Sequence, residues 1–334
     1  MKFGAIGIDH RHIFGMAGNL IDAGADFVGW WTNSNPEPLT GFIKRFPDTP
    51  RISDPDILLS DPEIDMILIS CIPRDRAAWA IKAMEAGKDV MVDKPGCVTL
   101  AELDEIKQAI ARTGRIWTID YSERHEVPCV TKAAELVQAG AIGKVVQTVG
   151  LGPHRLNRPT RPDWFFDRDA SGGILTDIGS HQIDQFLFFT GSIDAEIMHA
   201  SVANYANPED PGLQDFGEIV LKSDQGRGYI RIDWYTPDAL PNWGDGRLTI
   251  LGTEGYIELR KYVDAGVSDA TNTLILVNGD RCEKIDASDA GIPYFSRLIN
   301  DVRNRTETAM PQTHTLKAME LALKAQAMAE SHAV

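Results

Sequence analysis

Three polar residues in two separate motifs have the types and the spacing needed to act on a hydroxyl group. Lys94 comes at the end of the short apolar run 90–92 and directly precedes a proline. Asp177 and His181 follow the glycine pair 172–173 and stand four residues apart, so on a helix they would share one face. A lysine, a carboxylate and an imidazole in one cleft can bind a polyol hydroxyl, remove its proton and leave the carbon ready to lose a hydride.

Each of the three also has an ordinary structural interpretation. Lys94 could be a solvated lysine at a strand end, Asp177 a carboxylate favoured by a helix dipole, and His181 an interior histidine with satisfied hydrogen bonds. We favour the catalytic interpretation because ligands of α/β proteins bind at the carboxyl ends of parallel strands, where Lys94 is expected.

The first part of the chain alternates short apolar runs with helical patterns. The predicted strands are 3–8, 27–31, 66–72, 89–92 and 116–121, and the predicted helices are 12–23, 38–46, 76–86, 100–113 and 128–140. Helix 100–113 opens with a capping box, because Thr99 precedes it and Glu102 follows three residues later. Alternation of this kind predicts parallel βαβ units.

From residue 144 onward the chain consists mainly of β-branched runs with few helices between them. Short turns at 223–226 and 278–280 indicate hairpins, and hence a largely antiparallel sheet. We therefore expect an α/β fold with an N-terminal Rossmann dinucleotide-binding domain at 1–121. A C-terminal α+β domain with a largely antiparallel open sheet is expected at 122–311, and a final helix within 312–334 is expected to pack back on the first domain.

Composition excludes several classes of protein. The 334 residues carry a formal net charge of −15 and contain no run of Lys and Arg, which disfavours a nucleic-acid or anionic-membrane partner. The four cysteines are scattered, without a CxxC pair, so a zinc knuckle or a disulfide framework is not expected. The N-terminus lacks the apolar region of a signal peptide, and no stretch reaches transmembrane length. We expect a cytoplasmic protein.

The first strand-turn-helix is where a dinucleotide fingerprint is expected, and its glycine pattern is degenerate. A G-x-G-x-x-G loop lets backbone N–H groups approach a pyrophosphate, but here the sequence reads Gly7-Ile8-Asp9-His10-Arg11-His12. We expect His10 or His12 to lie against the pyrophosphate or nicotinamide as a side-chain donor. After the second strand, Thr32-Asn33-Ser34 replaces the usual acidic residue, which leaves the choice between NAD and NADP open.

Asp9, His10 and His12 also suggest a metal site, with His125, His154 and His181 as further ligand candidates. Imidazole and carboxylate ligands suit zinc or iron. No second closely spaced pair of ligands accompanies them in the sequence. We therefore expect no metal.

Several motifs together resemble the Gfo/Idh/MocA family (glucose-fructose oxidoreductase and inositol dehydrogenase), over nearly the whole chain. They are 83–88 leading to Asp93-Lys94-Pro95 (the family's E-K-P), Tyr121-Ser122-Glu123-Arg124, 140–145, and Trp164 ahead of 172–184. The chain departs from the family in its phosphate loop, in Thr32 where aspartate is common, and in Arg76 where histidine is frequent.

The resemblance implies an NAD(P)-dependent oxidoreductase acting on CH–OH groups of a sugar, a polyol or a related compound. By position, the catalytic residues are Lys94, Asp177 and His181. The implied cofactor contacts are Gly7, Ile8, Asp9, His10, His12, Thr32, Asn33, Ser34, Cys71, Pro73, Arg76, Asp93 and Lys94. The substrate candidates are Tyr121, Arg124, Trp164 and Arg168, of which Trp164 and Arg168 could equally anchor a loop.

The resemblance also implies a homodimer or homotetramer that forms through the C-terminal sheet. Two alternatives remain open at this stage. One is a cofactor-binding sensor or structural protein without turnover. The other is a redox-neutral enzyme that recycles a tightly bound NAD.

Overall fold

The computed structural model describes residues 1–33 and 35–332, which form two compact units. The first unit comprises Met1–His125, Pro162–Gly172 and Pro293–Met319. The second comprises Glu126–Arg161, Gly173–Ile292 and the chain from Glu320 onward. These bounds differ from the expected domains, because 162–172 and 293–311 group with the first unit and the last helix is shared between the two. Local sequence patterns do not show such returns of the chain.

The elements follow one another along the chain with short connections. The strands are β1 (Lys2–Ile6), β2 (Asp26–Trp31), β3 (Met66–Ile69), β4 (Asp89–Asp93), β5 (Trp117–Asp120), β6 (Val145–Pro153), β7 (Glu196–Ala203), β8 (Phe216–Lys222), β9 (Arg227–Asp233), β10 (Arg247–Gly252), β11 (Gly255–Arg260), β12 (Thr273–Asn278) and β13 (Cys282–Asp286). The helices are α1 (Ile13–Asp22), α2 (Leu39–Arg45), α3 (Pro55–Ser60), α4 (Arg76–Glu85), α5 (Leu100–Thr113), α6 (Ser122–His125), α7 (Pro128–Gln138), α8 (Arg168–Ser171), α9 (Ile174–Asp177), α10 (Gly179–Thr190), α11 (Tyr294–Asn304) and α12 (Gln312–His332).

The first unit is built on a five-stranded parallel sheet in the order β2-β1-β3-β4-β5. All four residues of β3 and all five of β4 are buried, as expected for central strands with helices on both faces. A parallel bridge between Trp30 and Arg51 adds a rudimentary strand beside β2. With this bridge counted as the third strand, the order is that of the dinucleotide-binding fold, and the predicted Rossmann domain is confirmed.

The second unit is built on an eight-stranded sheet in the order β13-β12-β11-β10-β6-β9-β8-β7. All neighbouring pairs are antiparallel except β6 and β9, which confirms the largely antiparallel sheet. The hairpins predicted at 223–226 and 278–280 join β8 to β9 and β12 to β13. Helix α7 packs against one face of the sheet, where Val130, Ile257 and Leu274 share a buried apolar cluster.

Helices α3, α6, α8 and α11 were not predicted from the sequence, and strand β13 was implied only by the turn at 278–280. Helix α3 is short, although its Asp54 cap and the proline at its first position are ordinary start signals. Strand β13 is largely polar and exposed because it lies at a sheet edge, so it lacks the apolar alternation of an inner strand. Helix α11 was missed despite its amphipathic pattern.

In residues 1–33 and 35–332, no helix is both long enough and apolar enough to span a bilayer.

Candidate active site

The residues expected to hold a dinucleotide follow the carboxyl ends of neighbouring parallel strands. The loop from Gly7 to His12 comes after β1, Thr32 after β2, Cys71 after β3, and Lys94 after β4. Carboxyl ends of parallel strands meet at one edge of a sheet, and ligands bind where the strand order reverses. In this sheet the reversal lies between β1 and β3. Ser34, also expected at this edge, lies outside the described residues.

Gly7 brings the loop close to its neighbours. Its φ is +81°, a conformation that favours glycine, and an added Cβ would lie 2.4 Å from the backbone nitrogen of Cys71. Its N–H donates to the carbonyl oxygen of Trp31 at 2.8 Å, and the N–H of Asp9 donates to the carbonyl oxygen of Ser70 at 2.9 Å. The one glycine that remains from the fingerprint is therefore required by the close packing of β1 and β3.

Asp93 is the centre of a polar cluster under this loop. Its carboxylate is fully buried and accepts hydrogen bonds from Nδ1 of His12 at 2.8 Å and from Arg76 at 2.9 Å. Nδ1 of His10 lies 2.8 Å from the same carboxylate, and the Ser70 hydroxyl donates to it at 3.3 Å. The loop after β1 and the ends of β3 and β4 are thus joined through one carboxylate.

The cluster shifts the pKa values of its members in opposite directions. Burial alone raises the pKa of the Asp93 carboxyl, but Arg76 and the two histidines hold that pKa well below its usual range. Burial lowers the pKa of His10 to about 4 despite the nearby Asp93, so His10 is uncharged at neutral pH. Burial raises the pKa of Asp9 to about 6, and Arg76 offsets only part of this effect.

These shifts predict opposite pH slopes for two variants. His10 resists protonation in the folded state, so it destabilises the fold as the pH falls from 6.5 towards 4. Asp9 keeps its proton longer in the folded state, so its contribution is lost as the pH rises from 3.8 through 6. We expect His10→Asn to lose less stability on acidification than the wild type, and Asp9→Asn to lose more. Urea titrations between pH 4 and 6.5 measure this, and parallel profiles for all three proteins would contradict it.

Arg76, predicted to contact the cofactor, makes a network of contacts within the protein. It is fully buried, and its guanidinium donates to the carbonyl oxygens of Cys71 at 2.9 Å, Asp93 at 2.9 Å and Pro95 at 3.0 Å, besides the Asp93 carboxylate. Two of these carbonyls flank Lys94. Arg76 therefore holds the segment that carries Lys94, and no local pattern signals this because Asp93 and Pro95 lie 17 and 19 residues further along the chain.

Asp177 and His181 belong to the second unit, whereas Lys94 belongs to the first. The two residues do not share one uninterrupted helix as expected: Asp177 ends α9, Ile178 intervenes, and α10 begins at Gly179. Ile178 keeps helical dihedral angles, and the His181 N–H donates to its carbonyl oxygen, so the break is slight.

Glutamine and lysine side chains that the sequence did not single out hold this segment. Gln326 accepts a hydrogen bond from the Leu175 N–H at 3.0 Å, at the start of α9. Gln185 donates to the carbonyl oxygen of His181 at 3.0 Å and accepts from the buried Lys261 at 2.7 Å. The backbone that carries His181 is therefore held by buried polar contacts.

The four substrate candidates all fall in the first unit. Tyr121 and Arg124 follow β5, Trp164 lies in a short 3₁₀ turn at 163–166, and Arg168 begins α8. Tyr121 is fully buried, and the Arg124 guanidinium lies 2.9 Å from the sulfur of Met310.

His10, His12 and Asp93 form the one group of three metal-ligand side chains found in the described part of the chain, with ligand atoms within 4.8 Å of one another. The charge of Asp93 is already balanced by Arg76 at 2.9 Å, which disfavours a further buried cation. The absence of a metal stays a prediction.

Comparison with known proteins decides the family. Residues 16–121 match the family model described as an oxidoreductase family with an NAD-binding Rossmann fold, and residues 130–258 match the GFO/IDH/MocA C-terminal domain. The chain belongs to the Gfo/Idh/MocA family. The resemblance found in the motifs is thereby confirmed.

Three relatives of this Gfo/Idh/MocA protein illustrate the likeness. A crystal structure of a protein assigned as an oxidoreductase from Erwinia carotovora atroseptica is 45% identical, covers 98% of both chains and superposes with a TM-score of 0.95. The scyllo-inositol 2-dehydrogenase (NAD(+)) of Bacillus subtilis is 28% identical over 61% of this chain and 57% of its own length. The levoglucosan dehydrogenase of Pseudarthrobacter phenanthrenivorans is 29% identical over 60% and 52%. The alignments thus span little more than half of these two enzymes.

The cofactor of the Gfo/Idh/MocA family is a nicotinamide dinucleotide, NAD or NADP, and the first unit has features that suit one. The loop from Gly7 to His12 leads directly into α1, whose N-terminus favours an anionic group. The side chains of His10 and His12, 21% and 30% exposed, supply donors beside it. The hydroxyl of Thr32 is buried and makes no hydrogen bond with any described residue.

Proposed function

We propose that this chain transfers a hydride between NAD(P) and a hydroxyl-bearing carbon of a sugar, a polyol or a related compound. The observation that carries the proposal is the position of Lys94. It stands one residue beyond β4, at the same sheet edge as the loop from Gly7 to His12, with Arg76 bonded to the carbonyls on both sides of it.

In this proposal each residue has a defined task. His181 removes the proton of the substrate hydroxyl, and Asp177 hydrogen-bonds the substrate or orients the imidazole. Lys94 donates to the same oxygen and stabilises the negative charge that develops there. The bound nicotinamide supplies the hydride acceptor at C4. Gly7, His10 and His12 hold the dinucleotide at the edge, and Tyr121, Arg124, Trp164 and Arg168 border the substrate.

Cofactor titration tests the proposal most directly. Tryptophans 30, 31, 79 and 117 lie in the first unit, so bound cofactor is expected to quench their fluorescence. We expect saturable quenching by at least one of NAD, NADH, NADP and NADPH. A panel of sugars and polyols that includes scyllo-inositol and levoglucosan then reports turnover through the absorbance of the reduced nicotinamide. The proposal would be wrong if none of the four cofactors changed the fluorescence.

We further propose that the chain forms a homodimer or homotetramer through the sheet of the second unit. Three large apolar side chains on strands of this sheet are 38% to 52% exposed: Met198, Leu251 and Tyr256. Exposed apolar side chains of this kind are typical of a surface that another protein covers. Light scattering tests this.

The four cysteines, all within the described residues, are free thiols, which supports the proposal of a reducing, cytoplasmic location.

A further inference from the structure

The end of β2 combines a buried hydroxyl with a surface arginine. In dinucleotide-binding folds this position faces the ribose of the adenosine: a carboxylate there holds the 2′-hydroxyl of NAD, and a nearby arginine accommodates the 2′-phosphate of NADP. Here the position is occupied by Thr32, which is 3% exposed and whose buried hydroxyl has no hydrogen-bond partner among the described residues. A buried hydroxyl without a partner costs free energy unless a ligand satisfies it.

Arg51 contacts this position, and no motif in the sequence predicts that contact. The backbone of the bridge beside β2 fixes it: the Trp30 N–H donates to Pro50 at 3.1 Å and the Ile52 N–H donates to Trp30 at 2.8 Å. Its guanidinium donates to the carbonyl oxygen of Thr32 at 3.1 Å and stacks over the ring of Trp30, with 5.4 Å to the ring centroid. A planar guanidinium held in this way presents a donor fork that suits phosphate oxygens.

The nearest acidic residue after β2 in the sequence is Glu37. Its carboxylate is paired with Arg11 of the loop after β1, so its charge is offset. The carboxylate that excludes a 2′-phosphate in NAD-specific folds is thus replaced by Thr32 directly after β2.

We propose that Thr32 and Arg51 form a subsite for the ribose 2′-phosphate, so that the chain binds NADP in preference to NAD. This rests on the dinucleotide binding of the proposed function. Arg51 contributes charge and a donor fork, and Thr32 contributes the buried hydroxyl.

Binding measurements test the subsite without any turnover. The wild type is expected to bind NADPH about tenfold or more tightly than NADH, because hydrogen bonds to a charged group are the stronger kind. Arg51→Ala is expected to weaken NADPH binding by about ten- to hundredfold and to leave NADH within about threefold. The pair 2′,5′-ADP and 5′-ADP isolates the phosphate, because they differ only by that group.

Arg45→Ala is the matched control. Arg45 is also an exposed arginine, stacked over Phe46 at 5.5 Å, so its removal changes the net charge equally without touching the end of β2. It is expected to leave both affinities unchanged. Thr32→Val removes the hydroxyl that has no protein partner, so it should weaken NADPH binding without lowering the melting temperature.

Equal affinity of the wild type for NADPH and NADH would overturn the subsite, as would an Arg51→Ala variant that weakens both cofactors alike. Unchanged NADPH binding by Thr32→Val would remove Thr32 from it. Binding of neither cofactor would overturn the proposed function as well, whereas preferential NADH binding would leave that function intact and contradict only the subsite.

Discussion

Replacing Lys94 by alanine is expected to lower kcat by about two to four orders of magnitude and to leave cofactor affinity within a few-fold. Electrostatic stabilisation and acid-base groups each contribute in this range, and Lys94 is proposed to act on the substrate oxygen and not on the dinucleotide phosphates. His181→Asn is expected to have an effect of the same size. Steady-state kinetics on a substrate found in the sugar and polyol panel, together with cofactor titration, measures both quantities.

Lys88 provides the control for this prediction. It directly precedes β4, whereas Lys94 directly follows this strand, so the two lysines lie at opposite ends of it. The ammonium group of Lys88 donates to the carbonyl oxygen of Ile64 at 2.9 Å. Lys88→Ala should lower stability but leave kcat near the wild-type value. If Lys94→Ala retained full turnover, the proposed mechanism would have to be abandoned even though the chain belongs to the family.

The sequence predicts the parallel part of the fold well because the signals there are local. The bounds of α5 agree with prediction to the residue, since Thr99 and Glu102 form the capping box and Gly114 ends the helix in a left-handed conformation. Helix α3 and the bridge at Arg51 were missed because they are too short for a periodic pattern.

Site residues can be predicted from the sequence only where they belong to a recognisable motif. Lys94 and its neighbour Asp93 were found through the family's E-K-P motif, but the network around Asp93 was not. Its partners are 17, 23 and 81 residues away in Arg76, Ser70 and His12, and neither periodicity nor spacing reports such contacts. For the same reason the approach of Arg51 to Thr32, 19 residues apart, was visible only in the structure.

Breaking the buried ion pair between Arg76 and Asp93 should have the largest effect on stability. Removing one member of a buried pair leaves the other charge uncompensated, which typically costs about 3 to 5 kcal/mol. Arg76→Met is expected to cost more than Asp93→Ala. The first change also removes the donors to the carbonyls of Cys71 and Pro95, whereas the second leaves them in place. Urea unfolding at neutral pH measures both free energies.

A second arginine–aspartate pair, at the other end of β4, makes the comparison quantitative. Arg305 pairs with Asp89 at 2.6 Å and donates to the carbonyl oxygen of Gly114 at 2.7 Å, but its side chain is 42% exposed. The Asp89 carboxylate is buried, but solvent reaches the arginine, so Arg305→Met should cost less than Arg76→Met. Both pairs join β4 to other segments and both carboxylates are buried, so burial of the arginine is the main difference between them. Equal losses for Arg76→Met and Arg305→Met would contradict the prediction that burial of the arginine sets the contribution of each pair.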